Sequence, residues 1–208
     1  MKSTKFLFLI LKKEIILQAE MFQTNMAEAD FSPRTIPLCL GFSANIKLLR
    51  EVILMKILFI NGSPNENGNT ANLASILLNG KKYETLNLTN FTIGSYGQTL
   101  PYDELDRVIE KMKEADTIVI GSPLYWHNIC GCVRNVLDRF YGKVDEGELL
   151  GRKLYFVFQG AAPEKWMLDA GEYTMKRFAS LYGMKYMGMA TNSKEAGELN
   201  KKYETKSY

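Results

Sequence analysis

Between residues 56 and 190 the chain alternates short apolar runs with segments whose apolar residues recur at helical spacing. That alternation constrains the fold more than any other feature. Residues 56–61, 83–88, 117–121, 153–158 and 185–189 read as strands. The run at 117–121 is β-branched up to its closing Gly121, as expected of a central parallel strand covered on both faces. Residues 69–79 place Leu73, Ile76 and Leu77 on one helical face, with Gly80 where a helix ends. Residues 102–115 follow Pro101 and carry the stripe Leu105, Val108, Ile109 and Met112. Residues 128–141 align Ile129, Val133, Val136, Leu137 and Phe140. Residues 169–182 open on Asp169-x-x-Glu172, a capping-box pattern. Repeated strand–helix–strand units imply an α/β fold, a parallel sheet with helices on both faces. Residues 193–208 are polar and read as a weak terminal helix or a frayed tail.

Composition narrows the function. Of 208 residues 46% are hydrophobic and 24% charged, which excludes intrinsic disorder and collagen-like repeats. A net charge of +3, evenly spread, does not describe a nucleic-acid binder. Three Cys cannot form a full disulfide framework, so a reducing, cytoplasmic setting is expected. A single His excludes zinc sites built on two or three His, and no metal site is expected.

Residues 1–54 read differently. The apolar run 6–11 is broken by Lys12-Lys13-Glu14. A secretory core needs roughly 7–15 apolar residues and a membrane helix about 20, so neither is expected. At Met55 the text becomes a compact strand followed by a turn, the usual opening of an α/β domain. Arg50-Glu51-Val52 can be encoded by a purine-rich stretch resembling a bacterial ribosome-binding site. The expectation is therefore that Met55 is the initiator and that residues 1–54 are upstream sequence; a genuine short helical extension is the alternative. Residues 55–192 would form the domain and 193–208 its tail. Residues 1–54 hold seven Lys and Arg and five Asp and Glu, so the remainder carries +1.

Two turns carry the chemistry. Asn61-Gly62-Ser63-Pro64-Asn65-Glu66-Asn67-Gly68-Asn69-Thr70 follows the first strand and leads into a helix. At the carboxyl edge of a parallel sheet, a helix start offers free N–H groups and partial positive charge to an anion. The turn is not a Walker A loop, because Asn69 stands where Lys is required. It is not the dinucleotide fingerprint, and it holds no nucleophilic Cys. What remains is a cradle of hydroxyls and N–H groups for a phosphomonoester, or an ordinary polar turn. Gly121-Ser122-Pro123-Leu124-Tyr125-Trp126-His127-Asn128 follows the third strand. Its two large aromatics suit stacking on a flat heterocycle, cover of a subunit interface, or both.

These residues, G-S-P-x-x-x-G-N-T at 62–70 and G-S-P-x-Y-W at 121–126 followed by Val133-Arg134-Asn135-Val136-Leu137-Asp138-Arg139, resemble the flavodoxin-like NAD(P)H-dependent FMN reductases over about residues 55–190. The resemblance implies a three-layer sandwich with five parallel strands in the order 2-1-3-4-5 and FMN at the carboxyl edge. Ser63, Asn65, Asn69 and Thr70 would hold the FMN phosphate. Pro123, Leu124, Tyr125, Trp126, His127 and Asn128 would line the ring, with Gln159, Gly160 and Ala161 on its other side. It also implies NADPH or NADH as co-substrate, a small-molecule electron acceptor and a homodimer, with no nucleic-acid or membrane partner. Many relatives carry Arg where Asn65 stands, which shifts phosphate binding toward the backbone. One branch has a cysteine-rich cluster-binding insert between strands two and three; residues 91–101 hold no Cys, so no iron–sulfur centre is expected. Catalysis would be flavin-borne, with His127 a candidate proton donor or a plain loop residue. Cys130-Gly131-Cys132 reads as small packing residues or, less simply, a redox pair. A flavodoxin-type electron carrier is the rival function. Such carriers are strongly acidic, and a charge of +1 favours an enzyme. A protein that kept the fold and lost the flavin is a second rival.

Overall fold

The computed structural model describes residues 55–205, with side chains through Tyr203. The readings of residues 1–54 lie outside the described residues. Among the described residues, six strands and five α-helices follow one another: β1 (Ile57–Asn61), α1 (Asn69–Leu77), β2 (Glu84–Asn87), α2 (Leu105–Glu114), β3 (Thr117–Tyr125), β4 (Asn128–Ile129), α3 (Gly131–Phe140), β5 (Lys153–Gln159), α4 (Lys165–Leu181), β6 (Lys185–Ala190) and α5 (Ser193–Thr205).

The sheet order is β2-β1-β3-β5-β6, with β4 paired to β3 alone. All the neighbours in that order are parallel, and the two-residue β4 is antiparallel. Without β4 the order is the expected 2-1-3-4-5 of the flavodoxin-like fold.

Side-chain alternation sorts the core into two halves. Leu58, Ile60, Ile118, Ile120, Leu154, Phe156 and Phe158 face α2, α3 and α4. Ile57, Phe59, Val119, Tyr155 and Val157 face α1 and α5. The predicted stripes are the buried ones: Leu105, Val108, Ile109 and Met112 in α2, and Val133, Val136, Leu137 and Phe140 in α3.

Three segments depart from the sequence expectation. β3 runs past Gly121 to Tyr125, turns and returns as β4, so α3 begins at Gly131 rather than 128. Pro123 is tolerated in the strand because β1 ends opposite Gly121, so at Pro123 β3 pairs with β5 alone. α4 begins at Lys165, a turn before the capping box. Asp169 and Glu172 instead pair with Lys165 and Lys176, each one helical turn away. Residues 193–205 form a packed helix, with Ala196, Leu199 and Tyr203 buried against the sheet.

The topology places the site. The chain passes from β1 to β2 on one side and then to β3 on the other, so the connections leaving β1 and β3 diverge. Ligands of open α/β sheets bind in the crevice beyond the carboxyl ends at such a switch point.

Candidate functional site

The loop after β1 is shaped by its own side chains. Asn61 is fully buried; its Oδ1 accepts the Ser63 N–H at 3.0 Å and its Nδ2 donates to Asn87 Oδ1 at 3.1 Å. Ser63 Oγ accepts the Asn65 N–H at 3.2 Å, and Asn65 Oδ1 accepts the Asn67 N–H at 3.1 Å. These short local bonds are what Asn and Ser supply in turns. Asn90 donates to Glu66 Oε1, which engages the loop's one carboxylate. At the start of α1, the N-cap position is Gly68, no side chain caps the helix, and its first turn holds no acid. The leading N–H groups are thus offered to an anion from outside the chain.

The loop after β3 is bonded to the first. Gly62 N–H donates to Gly121 O at 2.8 Å. Ser122 Oγ, buried, accepts the Cys130 N–H at 2.9 Å and donates to Pro123 O at 2.7 Å. The Sγ atoms of Cys130 and Cys132 lie 3.3 and 3.1 Å from Gly62 O. Tyr125 and Asn128 pair across a two-residue hairpin whose tip, Trp126 and His127, has φ of 48° and 63°. Both values lie in the left-handed region of a type I′ turn. Trp126 is 96% exposed at that tip.

The loop after β5 closes the edge. Pro123 is in register with Gln159, and a Cβ at Gly160 would stand 3.1 Å from Leu124 Cβ. Gln159 Nε2 donates to the buried Thr70 Oγ1 at 3.2 Å, joining the third loop to α1. Of the predicted residues, Ser63, Thr70 and Pro123 are buried, Leu124, Gln159 and Gly160 half-buried, and Asn65, Asn69, Tyr125, Trp126, His127, Asn128 and Ala161 exposed. Three contributors were not foreseen. Asn61 and Ser122 brace the two turns from beneath, and Ser122 stood in plain view inside G-S-P. Trp166, at the start of α4, packs edge-on to His127 with centroids 5.4 Å apart and donates from Nε1 to Glu164 at 3.0 Å. Its signal was the second tryptophan, just beyond the Pro163 turn.

The donor set fits a flavin mononucleotide. An uncapped helix start with hydroxyl and amide neighbours, and no acid in its first turn, suits a phosphate. The exposed aromatic hairpin on the adjoining strand suits a planar ring. The comparisons agree. The chain is 38% identical to an iron-sulfur flavoprotein of Archaeoglobus fulgidus, across 41% of this chain and 48% of that protein. It is 34% identical to one of Methanocaldococcus jannaschii, across 41% and 51%. The chain thus spans about half the length of the curated relatives it matches. Among solved structures, the Trp repressor binding protein of Bacillus subtilis superposes with a TM-score of 0.58 at 18% identity, covering 69% of this chain and 99% of that one. A flavone reductase does so at 0.58 and 20%, covering 70% and 60%. Residues 55–196 match the NADPH-dependent FMN reductases, in keeping with the FMN and the NADPH or NADH that the family resemblance implied. The chain belongs to the NADPH-dependent FMN reductase family.

Proposed function

We propose that this protein is an FMN-dependent oxidoreductase that draws reducing equivalents from NADPH or NADH and delivers them to a small acceptor, a quinone, a nitro or azo compound, or free flavin. The observation that carries the reading is the pairing, at one switch point, of an uncapped, acid-free helix start with an exposed aromatic hairpin. Ser63, Asn65, Asn69 and Thr70, with the N–H groups that open α1, hold the phosphate. Pro123, Leu124, Tyr125, Trp126 and Asn128 line one side of the ring, and Gln159, Gly160 and Ala161 border the other. When bound, FMN supplies the two-electron chemistry between nicotinamide and acceptor. The chain's own work is to orient the reactants and exclude water. His127, exposed beside Trp166, is the residue we propose to pass a proton to the reduced acceptor. The exposed aromatics also suit a homodimer interface beside the site.

The test is an absorbance spectrum. Protein mixed with FMN and desalted should keep a flavin spectrum that bleaches anaerobically with NADPH or NADH and recovers with a quinone. Protein left colourless after FMN addition sinks the reading.

A further inference from the structure

We propose that Cys130 and Cys132 form a modification site, a dithiol that a small disulfide compound converts to an intramolecular Cys130–Cys132 disulfide, loosening the phosphate loop at Gly62. The two Sγ atoms are 3.5 Å apart and both thiols are free. A disulfide needs about 2.05 Å, so closure draws the two sulfurs about 1.5 Å closer. Gly131 between them is unencumbered, since a Cβ there would find nothing within 4 Å. Cys130 is buried and Cys132 half-buried, so the reagent meets Cys132. The hydrogen bond between the thiols lowers Cys130 to about 6 and raises Cys132, whose burial adds to the rise. Cys130 therefore ionises first, and Cys132 becomes the attacking thiolate by passing its proton to Cys130 across the 3.5 Å contact.

The chemistry balances. The Cys132 sulfur attacks RS–SR, forming Cys132–S–SR and releasing RS⁻, which takes up a proton. Cys130 then attacks Cys132 Sγ and expels the second RS⁻. The dithiol loses two electrons and two protons, and RS–SR becomes two RSH. The consequence falls on Gly62 O, which both sulfurs approach within 3.3 Å. Oxidation leaves no S–H to donate to that buried carbonyl, one residue before Ser63. The effect on FMN rests on the function proposed above; disulfide formation does not.

The full chain, folded, is incubated with oxidised glutathione, acid-quenched, alkylated and mapped by mass spectrometry. The expected result is a peptide carrying both cysteines, lighter by two hydrogens, unalkylated and restored by dithiothreitol. Cys130→Ser should stop at a stable glutathione adduct on Cys132, which does not require the disulfide itself. Two alkylated cysteines in the wild type, or a disulfide appearing only after urea unfolding, overturn the proposal. FMN should bind the oxidised protein about five- to tenfold more weakly than the reduced protein. Equal affinities overturn the link to the loop. Absence of FMN binding in both states would count against the flavin site, while the mass result still decides the dithiol.

Discussion

Trp126 and His127 stand where a two-residue hairpin favours Asn and Gly. Each non-glycine residue in the left-handed region costs about 1–2 kcal/mol. Trp126, 96% exposed, recovers little of this through burial within the chain. The tip therefore carries strain in exchange for an aromatic surface, a common feature of binding sites. Replacing both residues, Trp126→Asn with His127→Gly, should raise stability by about 1–2 kcal/mol in urea titrations and weaken FMN binding in fluorescence titrations. A fall in stability would show that the tip is held by packing instead. Glycines give a second contrast. A Cβ at Gly62 would meet Val133 Cγ2 at 2.4 Å, Cys130 Sγ at 2.8 Å and Gly121 O at 2.9 Å, whereas one at Gly131 meets nothing. Gly62→Ala should cost about 1–3 kcal/mol from overpacking. Gly131→Ala should be neutral or stabilise by up to about 1 kcal/mol. Denaturant midpoints separate the two.

At the scale of elements, the long connection from β2 to α2 is tied to α3 by one ion pair. Arg139 Nη1 donates to Asp103 Oδ2 at 2.5 Å and to Gly94 O at 3.2 Å. Asp103 also accepts the N–H groups of Gly94 and Leu105. The Arg139 hydrogen bond leads these in holding the Asp103 carboxyl down, to about 2 against an ordinary 3.8. The folded value lies below the unfolded one, so the contribution is complete above about pH 5 and fades as pH falls toward 2. Wild type should lose about 1–2 kcal/mol more than Asp103→Asn between pH 5 and pH 2. Parallel acid titrations of the two denaturant midpoints would show it, and equal losses would refute it. Asp138 pairs with Arg134 within α3, and Arg139, in the last turn of α3, reaches across to Asp103. Strands and helix stripes were legible because burial imposes their periods. The hairpin was not, since Trp-His carries none of the usual turn chemistry. Nor was the start of α4, where two acids spaced for capping serve i,i+4 pairs.

Across the whole molecule, the two core halves bear on different parts of the candidate site. α1, whose start is the proposed phosphate site, shares its core with α5. Tyr203 in α5 stacks on Tyr155 at 5.6 Å, and its hydroxyl lies 3.2 Å from Thr117 Oγ1. Asn200 Nδ2 donates to Leu77 O at 2.8 Å and Asn79 O at 3.2 Å, bonding the carbonyls at the end of α1. Sequence alone left α5 ambiguous because three buried residues, Ala196, Leu199 and Tyr203, are scattered among charges. On the opposite face Phe140, fully buried, packs edge-on to Phe178 and Tyr182 at the far end of α3 from the hairpin. Truncating either aromatic to Ala should cost about 3–5 kcal/mol. Their effects on ligand binding should differ. Tyr203→Ala loosens the layer that holds α1 and should weaken FMN binding severalfold at temperatures where both variants remain folded. Phe140→Ala, equally costly, should leave the affinity within about twofold, because general destabilisation of a two-state domain changes the unfolded fraction and not the geometry of the folded site. Tyr203→Phe, which keeps the ring and loses only the hydroxyl, should cost about 1 kcal/mol and bind as wild type. Equal weakening by Tyr203→Ala and Phe140→Ala would show that the flavin site senses overall stability rather than the α1–α5 layer.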